Sequence, residues 1–491
     1  MMQTDEIRNN QDLRSSRYEA IVIRLMIIAP CFFIRFSLDN DAYWLIQSGR
    51  YVLHQGIPTT DPLTFHSGLN YVMQQWLSAV CFASIYDTFG IVGMVMLVLI
   101  VFIAMTLLIQ RLCLLISDNE FVSYVVTIMS VIVLWPFMTT RPFLISLLLF
   151  LIELLILEKV VRSRKYVFLA ALPLLSVLLV NFHAALWPFF FIIFIPYLFD
   201  SFKFHFWFIN GEGYPRIKIL IALVVSFFAG FLNPYGLKSM TYLFRSYGHQ
   251  SISKNVMEMQ SPNFQTGSGL FVFLVLFAVV LVLIVSKNST LKLRYALLML
   301  GTSFMALSSL RNLSLFAVCG MPMIAFVIRD LNPGTAVAKK IPRRTQITMV
   351  VAYIVIVLVC FSINLSDSYK HQDDGLPNDA IAFIQKEYKS DNIRLFTDYN
   401  WGGYAEFKGL KPFIDARAEV FLKVNNGKED ILDDLLDVDS GRLYYTDFIK
   451  KYRLNVFLLE KDVLLDVYLS KDSAYHKVFE SKEFVIYDNM Q

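Results

Sequence analysis

The sequence predicts a polytopic α-helical membrane protein of about 11 transmembrane helices, followed by a C-terminal extracytoplasmic α/β domain. Three observations carry this expectation. Of 491 residues, 56% are hydrophobic and only 17% charged, against about 25% charged in soluble proteins, which excludes a soluble enzyme and a disordered chain. Charge is split along the chain: residues 1–362 hold 27 Lys+Arg and 16 Asp+Glu, and residues 363–491 hold 17 and 24. A basic, apolar body joined to an acidic tail fits a membrane protein with a soluble domain, not a nucleic-acid binder. The body also carries a series of apolar stretches, to be set against the roughly 20 residues that cross a bilayer.

Those stretches are Ile21–Leu38, Phe89–Gln110, Phe121–Trp135, Phe143–Leu157, Val167–Val180, Trp187–Phe199, Ile217–Leu232, Leu270–Val285, Tyr295–Ser309, Leu313–Ile328 and Thr348–Phe361. With the N-terminus inside, the inner connections hold 20 basic residues and the outer ones 7, which sets the orientation by the positive-inside rule. An odd number of crossings then places residues 364–491 outside, beyond a body of residues 1–363. The first outer loop, 39–88, reads as two amphipathic helices about a turn at Thr59-Thr60-Asp61-Pro62, with Trp44, Tyr51, Trp76 and Phe82 suited to the membrane interface. In the tail, periodicity predicts a helix over Asn378–Glu387 and strands over Ile393–Thr397, Lys411–Asp415 and Asn455–Leu459. A helix including Phe448–Tyr452 precedes the last of these, and a hairpin over Val478–Tyr487 closes the chain. The five cysteines are scattered and have no zinc or disulfide spacing.

Chemistry concentrates where outer helix ends meet polar residues. Asp39 and Asp41, at i and i+2, cannot share a helix face, so one can enter a cleft while the other caps a helix; Asp41 is the better placed N-cap for Ala42–Leu53. Arg141 and Arg311 lie in short outer connections and suit bidentate phosphate binding, or end their helices as snorkelling arginines. Arg35, four residues before Asp39, can take phosphate or pair with that aspartate. His183 can contact a sugar or cap its helix. Glu153 is an intramembrane carboxylate, read here as pairing between helices. In the tail, Trp401 and Tyr404 flank two glycines and can form a stacking surface or pack in the core. Asp415 and Arg417, on one face of a strand, can pair or contact a polar acceptor.

Asp39-Asn-Asp-Ala-Tyr-Trp44, Gly49-Arg-Tyr-Val-Leu-His-Gln-Gly56-Ile-Pro58-Thr-Thr-Asp61-Pro and Trp76-Leu77 resemble the first outer loop of bacterial GT-C-type membrane glycosyltransferase-like proteins. The resemblance continues through Asn181-Phe-His183, Asn233-Pro-Tyr-Gly236, Glu258-Met-Gln-Ser-Pro262, Arg311-Asn312, Asp398-Tyr-Asn-Trp-Gly-Gly-Tyr404 and Phe413-Ile-Asp-Ala-Arg417, so it covers nearly the whole chain. It implies an inverting transfer from a polyprenyl-phosphate-linked sugar to an envelope glycan, lipid or protein at the outer face of the bacterial plasma membrane. The general base would be Asp41 or Asp39. The donor phosphate would fall to Arg311, Arg141 and Arg35, and sugar or acceptor contacts to His183, Glu258, Trp401, Tyr404, Asp415 and Arg417. Where the group often has a His after the Trp and a Glu before Trp-Leu, this chain has Leu45 and Gln75, and Ala184 stands where Gly is usual. No cofactor follows from the residues, and a divalent metal stays open. The alternative functions are a non-catalytic lipid-binding or assembly factor of the same fold, or a lipid or glycan transporter.

Overall fold

Asp39 has extended backbone (φ −68°, ψ 147°), and its side chain accepts a hydrogen bond of 3.1 Å from the Asp41 amide. It therefore caps helix α1 (Asn40–Gln55), while Asp41, the expected cap, sits in the first turn. The structure is a computed structural model that describes residues 22, 24–34, 38–246, 249, 251–252, 257–285, 290–331, 343–372, 374–389 and 392–489. Gly56, at φ 82°, ends α1. The loop then crosses to α2 (Trp76–Ser117), a 42-residue helix kinked at Gly90, where φ is 60°. The second amphipathic helix expected in the loop is thus continuous with the first long apolar span. A Cβ on Gly49 would lie 2.0 Å from the Ala79 carbonyl oxygen, so only glycine lets α1 and α2 cross this closely.

The body continues through α3 (Glu120–Leu134), capped by Asn119, α4 (Phe143–Ser163), α5 (Leu172–His183), α6 (Trp187–Asp200), α7 (Arg216–Ala229), α8 (Gly267–Val285), α9 (Leu293–Ser308), α10 (Leu310–Val327) and α11 (Arg343–Lys370). Among the described residues, six helical runs are long and apolar enough to cross a membrane: Trp76–Ser117, Glu120–Phe137, Tyr166–Asp200, Gly267–Val285, Leu310–Val327 and Val350–Lys370. Arg24–Phe33 and α9 are shorter apolar helices, so the multi-pass architecture is present without fixing the count at eleven. Exposed apolar side chains along α8 and α11 match surfaces that face hydrocarbon. Glu153, expected to pair between helices, has no hydrogen-bond partner for either carboxylate oxygen among the described residues.

One end of the body is tied by charge. Arg294 at the start of α9 reaches Glu158 of α4 (2.8 Å), Asp200 of α6 (2.5 Å) and Glu212 (2.7 Å), and Tyr197 and Tyr295 donate to Glu158. Beside it, β1 (Phe204–Phe206), β2 (Ile209–Gly211) and β3 (Leu291–Lys292) form a small sheet. Arg141 precedes the first turn of α4 and Glu158 lies in its last turns, so roughly 25 Å of helix separates this latch from the end that bears the first loop.

The tail has helix α12 (Asn378–Glu387), as expected, and a sheet of order β4 (Leu395–Thr397), β5 (Val456–Glu460), β7 (Phe484–Asp488), β6 (His476–Glu480). β4 and β5 are parallel; β7 runs antiparallel to β5 and β6. The strand expected over Lys411–Asp415 is reduced to a single bridge between Leu395 and Pro412, because Pro412 lacks the amide a ladder needs. The Trp-Gly-Gly-Tyr element lies within helix α13 (Tyr399–Phe407), capped by Asp398. Trp44, Leu45, Met73 and Phe82 of the first loop share one apolar core with Phe413, Phe421, Phe448 and Phe457 of the tail. Trp44 and Phe82, expected at the membrane interface, are instead 5% and 0% exposed within this shared core, where Gly403 and Arg417 of the tail pack against Trp44.

Candidate active site

Where the first loop, the ends of the membrane helices and the tail converge, they enclose a cavity of about 480 Å³. Its lining includes Asp39, Asp41, Arg141, His183, Glu258 and Arg311 of the body and Tyr399, Asn400, Arg417 and Glu419 of the tail. Residues separated by up to 380 positions in sequence thus face one space.

Arg141 organises one side. Its Nε lies 3.0 Å from Asp39 and 3.2 Å from Asp41, its Nη2 donates to Asp39 at 3.0 Å, and its Nη1 donates to both Glu258 oxygens at 2.7 Å. The Asp39 amide donates to Thr140 Oγ1 at 3.2 Å, docking the two backbones as well. Trp44 Nε1 donates to the remaining Asp41 oxygen at 3.3 Å. Burial pushes Asp41 up to about 6 against the pull of Arg141, with Asp39 and Glu258 adding to the rise. A carboxylate titrating near neutrality suits proton acceptance.

Arg311 differs. It has no carboxylate partner within ion-pair distance among the described residues and lies 4.8 Å over the Phe143 ring. Arg141, expected on a phosphate, spends its donors on carboxylates, so among the described residues Arg311 is the cation left facing the cavity. His183 is buried, its Nδ1 3.0 Å from Ser146 Oγ, and it reaches the wall between α4 and α5. Glu258 is anchored through its carbonyl, which accepts from Ser309 Oγ at 2.7 Å, next to Arg311. Arg35 lies outside the described residues.

The tail supplies the opposite wall. Asp415 and Arg417 do pair, but in a loop, and Arg417 also binds Asp61 at 2.7 Å and Glu406 at 3.4 Å. Burial opposes charge on Asp61, yet Arg417 and the Thr64 hydrogen bonds outweigh it and hold the carboxyl low. Burial and the neighbouring Asp415 push Glu406 well up. Trp401 and Tyr404 do not line the cavity: Trp401 donates to Glu460 at 2.6 Å, and Tyr404 packs edge-on against Tyr43, centroids 4.8 Å apart. The glycines between them do permit close approach, since a Cβ on Gly402 would lie 1.8 Å from the Ile414 carbonyl oxygen. Sequence reasoning missed Tyr399, Asn400 and Glu419. Glu419 accepts from Tyr242 at 2.9 Å and Gln74 at 3.4 Å; its signal was an acidic residue just past the Asp-Ala-Arg motif.

A divalent metal does not fit the three-carboxylate cluster as it stands, because the guanidinium of Arg141 fills the place a cation would take. His249, Asp430 and Asp433 have ligand atoms within 4.8 Å of one another, but none of the three lines the cavity.

No protein-family model matches the chain, and no curated protein does. Solved structures do. The archaeal oligosaccharyltransferase AglB from Archaeoglobus fulgidus, in complex with an inhibitory peptide and a dolichol-phosphate, superposes with a TM-score of 0.61 at 9% identity, over 91% of this chain and 70% of that one. The fold is GT-C-like. The oligosaccharyltransferase of the same archaeon tethered to an acceptor peptide containing the NVT sequon gives 0.58 at 10% identity, over 90% and 69%. ArnT from Cupriavidus metallidurans in the apo state gives 0.50 at 11% identity, over 98% of both chains. This GT-C-like body and its tail place the cavity between first loop and C-terminal region.

Proposed function

We propose that the protein is a membrane glycosyltransferase that moves a sugar from a polyprenyl-phosphate carrier to a cell-envelope acceptor, at the extracytoplasmic face. The observation that carries this reading is one cavity holding Asp41, a carboxylate pushed up to about 6, together with Arg311, a cation without a carboxylate partner among the described residues. The dolichol-phosphate in the AglB structure supports a polyprenyl-phosphate donor. The acceptor hydroxyl attacks the anomeric carbon from the Asp41 side and gives its proton to that carboxylate. The bond between the anomeric carbon and the phosphate oxygen breaks, and the polyprenyl phosphate leaves with its charge against Arg311. Attack opposite the leaving group inverts the anomeric centre.

Asp41→Asn keeps size and hydrogen bonding but removes the base, so turnover of a polyprenyl-phosphate sugar should fall about 10²–10⁴-fold while donor binding persists. Near-normal turnover in this variant would exclude the assignment. Leu45 and Gln75, which depart from the resembling group, favour a second reading as a lipid-binding factor. Donor binding by the wild type with no turnover toward any envelope acceptor would favour that reading.

A further inference from the structure

The three carboxylates around Arg141 come from two separate segments, Asp39 and Asp41 from the head of α1 and Glu258 from the turn before α8. Five of their six oxygens accept a hydrogen bond, and the sixth, on Asp41, has only an ion-pair contact with Arg141. Asp39 takes Nε and Nη2 of Arg141, and one of its oxygens also takes the Asp41 amide. Asp41 takes the Trp44 indole on one oxygen and lies 3.2 Å from Nε through the other, an ion-pair contact without a hydrogen bond. Glu258 takes Nη1 on both oxygens. Three carboxylates meeting at one point form the hard oxygen set that a divalent cation selects, but a guanidinium occupies the centre. Its position is built in: the Arg141 amide donates to the Thr139 carbonyl at 2.8 Å, and Pro142 follows at the start of α4.

We propose that Arg141 stands in for a divalent cation, so that the cluster works without metal and becomes a metal site once the guanidinium is removed. Two physical arguments favour a fixed guanidinium here. Mutual repulsion among three carboxylates must be offset by a cation, and the planar fork does so in fixed directions without depending on ion supply. A directly ligating metal would also claim the Asp41 lone pairs, whereas Arg141 meets Asp41 through a single contact of 3.2 Å and leaves it able to accept a proton. Only this second argument rests on the proposed transferase reading.

The test is Mn²⁺ binding to the purified full chain in detergent, followed by electron paramagnetic resonance of the free ion. Wild type should show no saturable site. Arg141→Ala and Arg141→Gln should each gain a site at least about tenfold tighter than any wild-type binding, as charge count and oxygen ligands dictate. Adding Glu258→Gln to either should abolish it. Saturable Mn²⁺ binding by the wild type that Glu258→Gln removes overturns the proposal without any Arg141 variant. Folded Arg141 variants that bind no Mn²⁺ overturn it equally. Because binding is read without turnover, a failure of the transferase reading leaves this result standing, and chelator-insensitive turnover would join the two.

Discussion

Asp41 keeps 29% of its side chain open to the cavity, and its surroundings raise it to about 6 through burial first and neighbouring carboxylates after. The sign of the pH effect follows. A general base works only when deprotonated, so under the proposed mechanism transfer should climb as pH rises through about 6 and level off above it. A rate profile flat between pH 5 and 7, an interval of about one unit on either side, would remove Asp41 from the role. The sequence expected Asp41 to cap the helix, but the helix starts two residues earlier, at Asn40, which gives the cap to Asp39. The structure separates them by giving Asp39 the cap and Asp41 the indole of Trp44. Arg311 offers a second test at this scale. Arg311→Lys keeps the charge but loses the planar fork and the stack on Phe143. Loss of one charge-assisted hydrogen bond is worth about 1.5 kcal/mol, so donor affinity should fall roughly tenfold by equilibrium binding.

Elements explain why some of the site was legible and some was not. Asp39, Arg141, His183, Glu258 and Arg311 all fall beside helix ends that alternate along the chain, so a charge-based topology puts them on one side and their motifs reveal them. The tail wall obeys no such rule. Tyr399 and Asn400 reach the cavity because α13 starts at a cap on Asp398, while Trp401 and Tyr404, one to four positions later, turn into the core. Aromatic residues beside glycines signal close packing as strongly as a binding surface, and only the pairing of α13 with α1 decides between them. The junction is held by Arg417, 2% exposed between Asp415 and Asp61. Arg417→Ala leaves three acids, Asp61, Glu406 and Asp415, buried without their cation, a change that costs about 3–5 kcal/mol, and it should lower the thermal midpoint sharply. A variant of wild-type stability would mean that apolar contacts alone hold the tail.

At the scale of the molecule, body and tail read from composition as two materials, and their split in charge is real. Composition did not reveal that they share a core through Trp44, Met73 and Phe82, since such contacts join residues hundreds of positions apart. A chain ending near Ser366 would bare that apolar surface. It should therefore extract from membranes as aggregates, not as a competent donor-binding body; a monodisperse truncated protein by size-exclusion chromatography would refute this. The shared wall also sets an order of events during synthesis. Asp41 and Arg141 are in place early, but Arg417 and Glu419 complete the cavity. At about 5–20 residues per second, the early half of the site waits on the order of 15–55 s for the late half. A nascent chain already seated in the bilayer thus lacks one wall of its cavity, which closes only when the last quarter of the chain folds back onto the first loop.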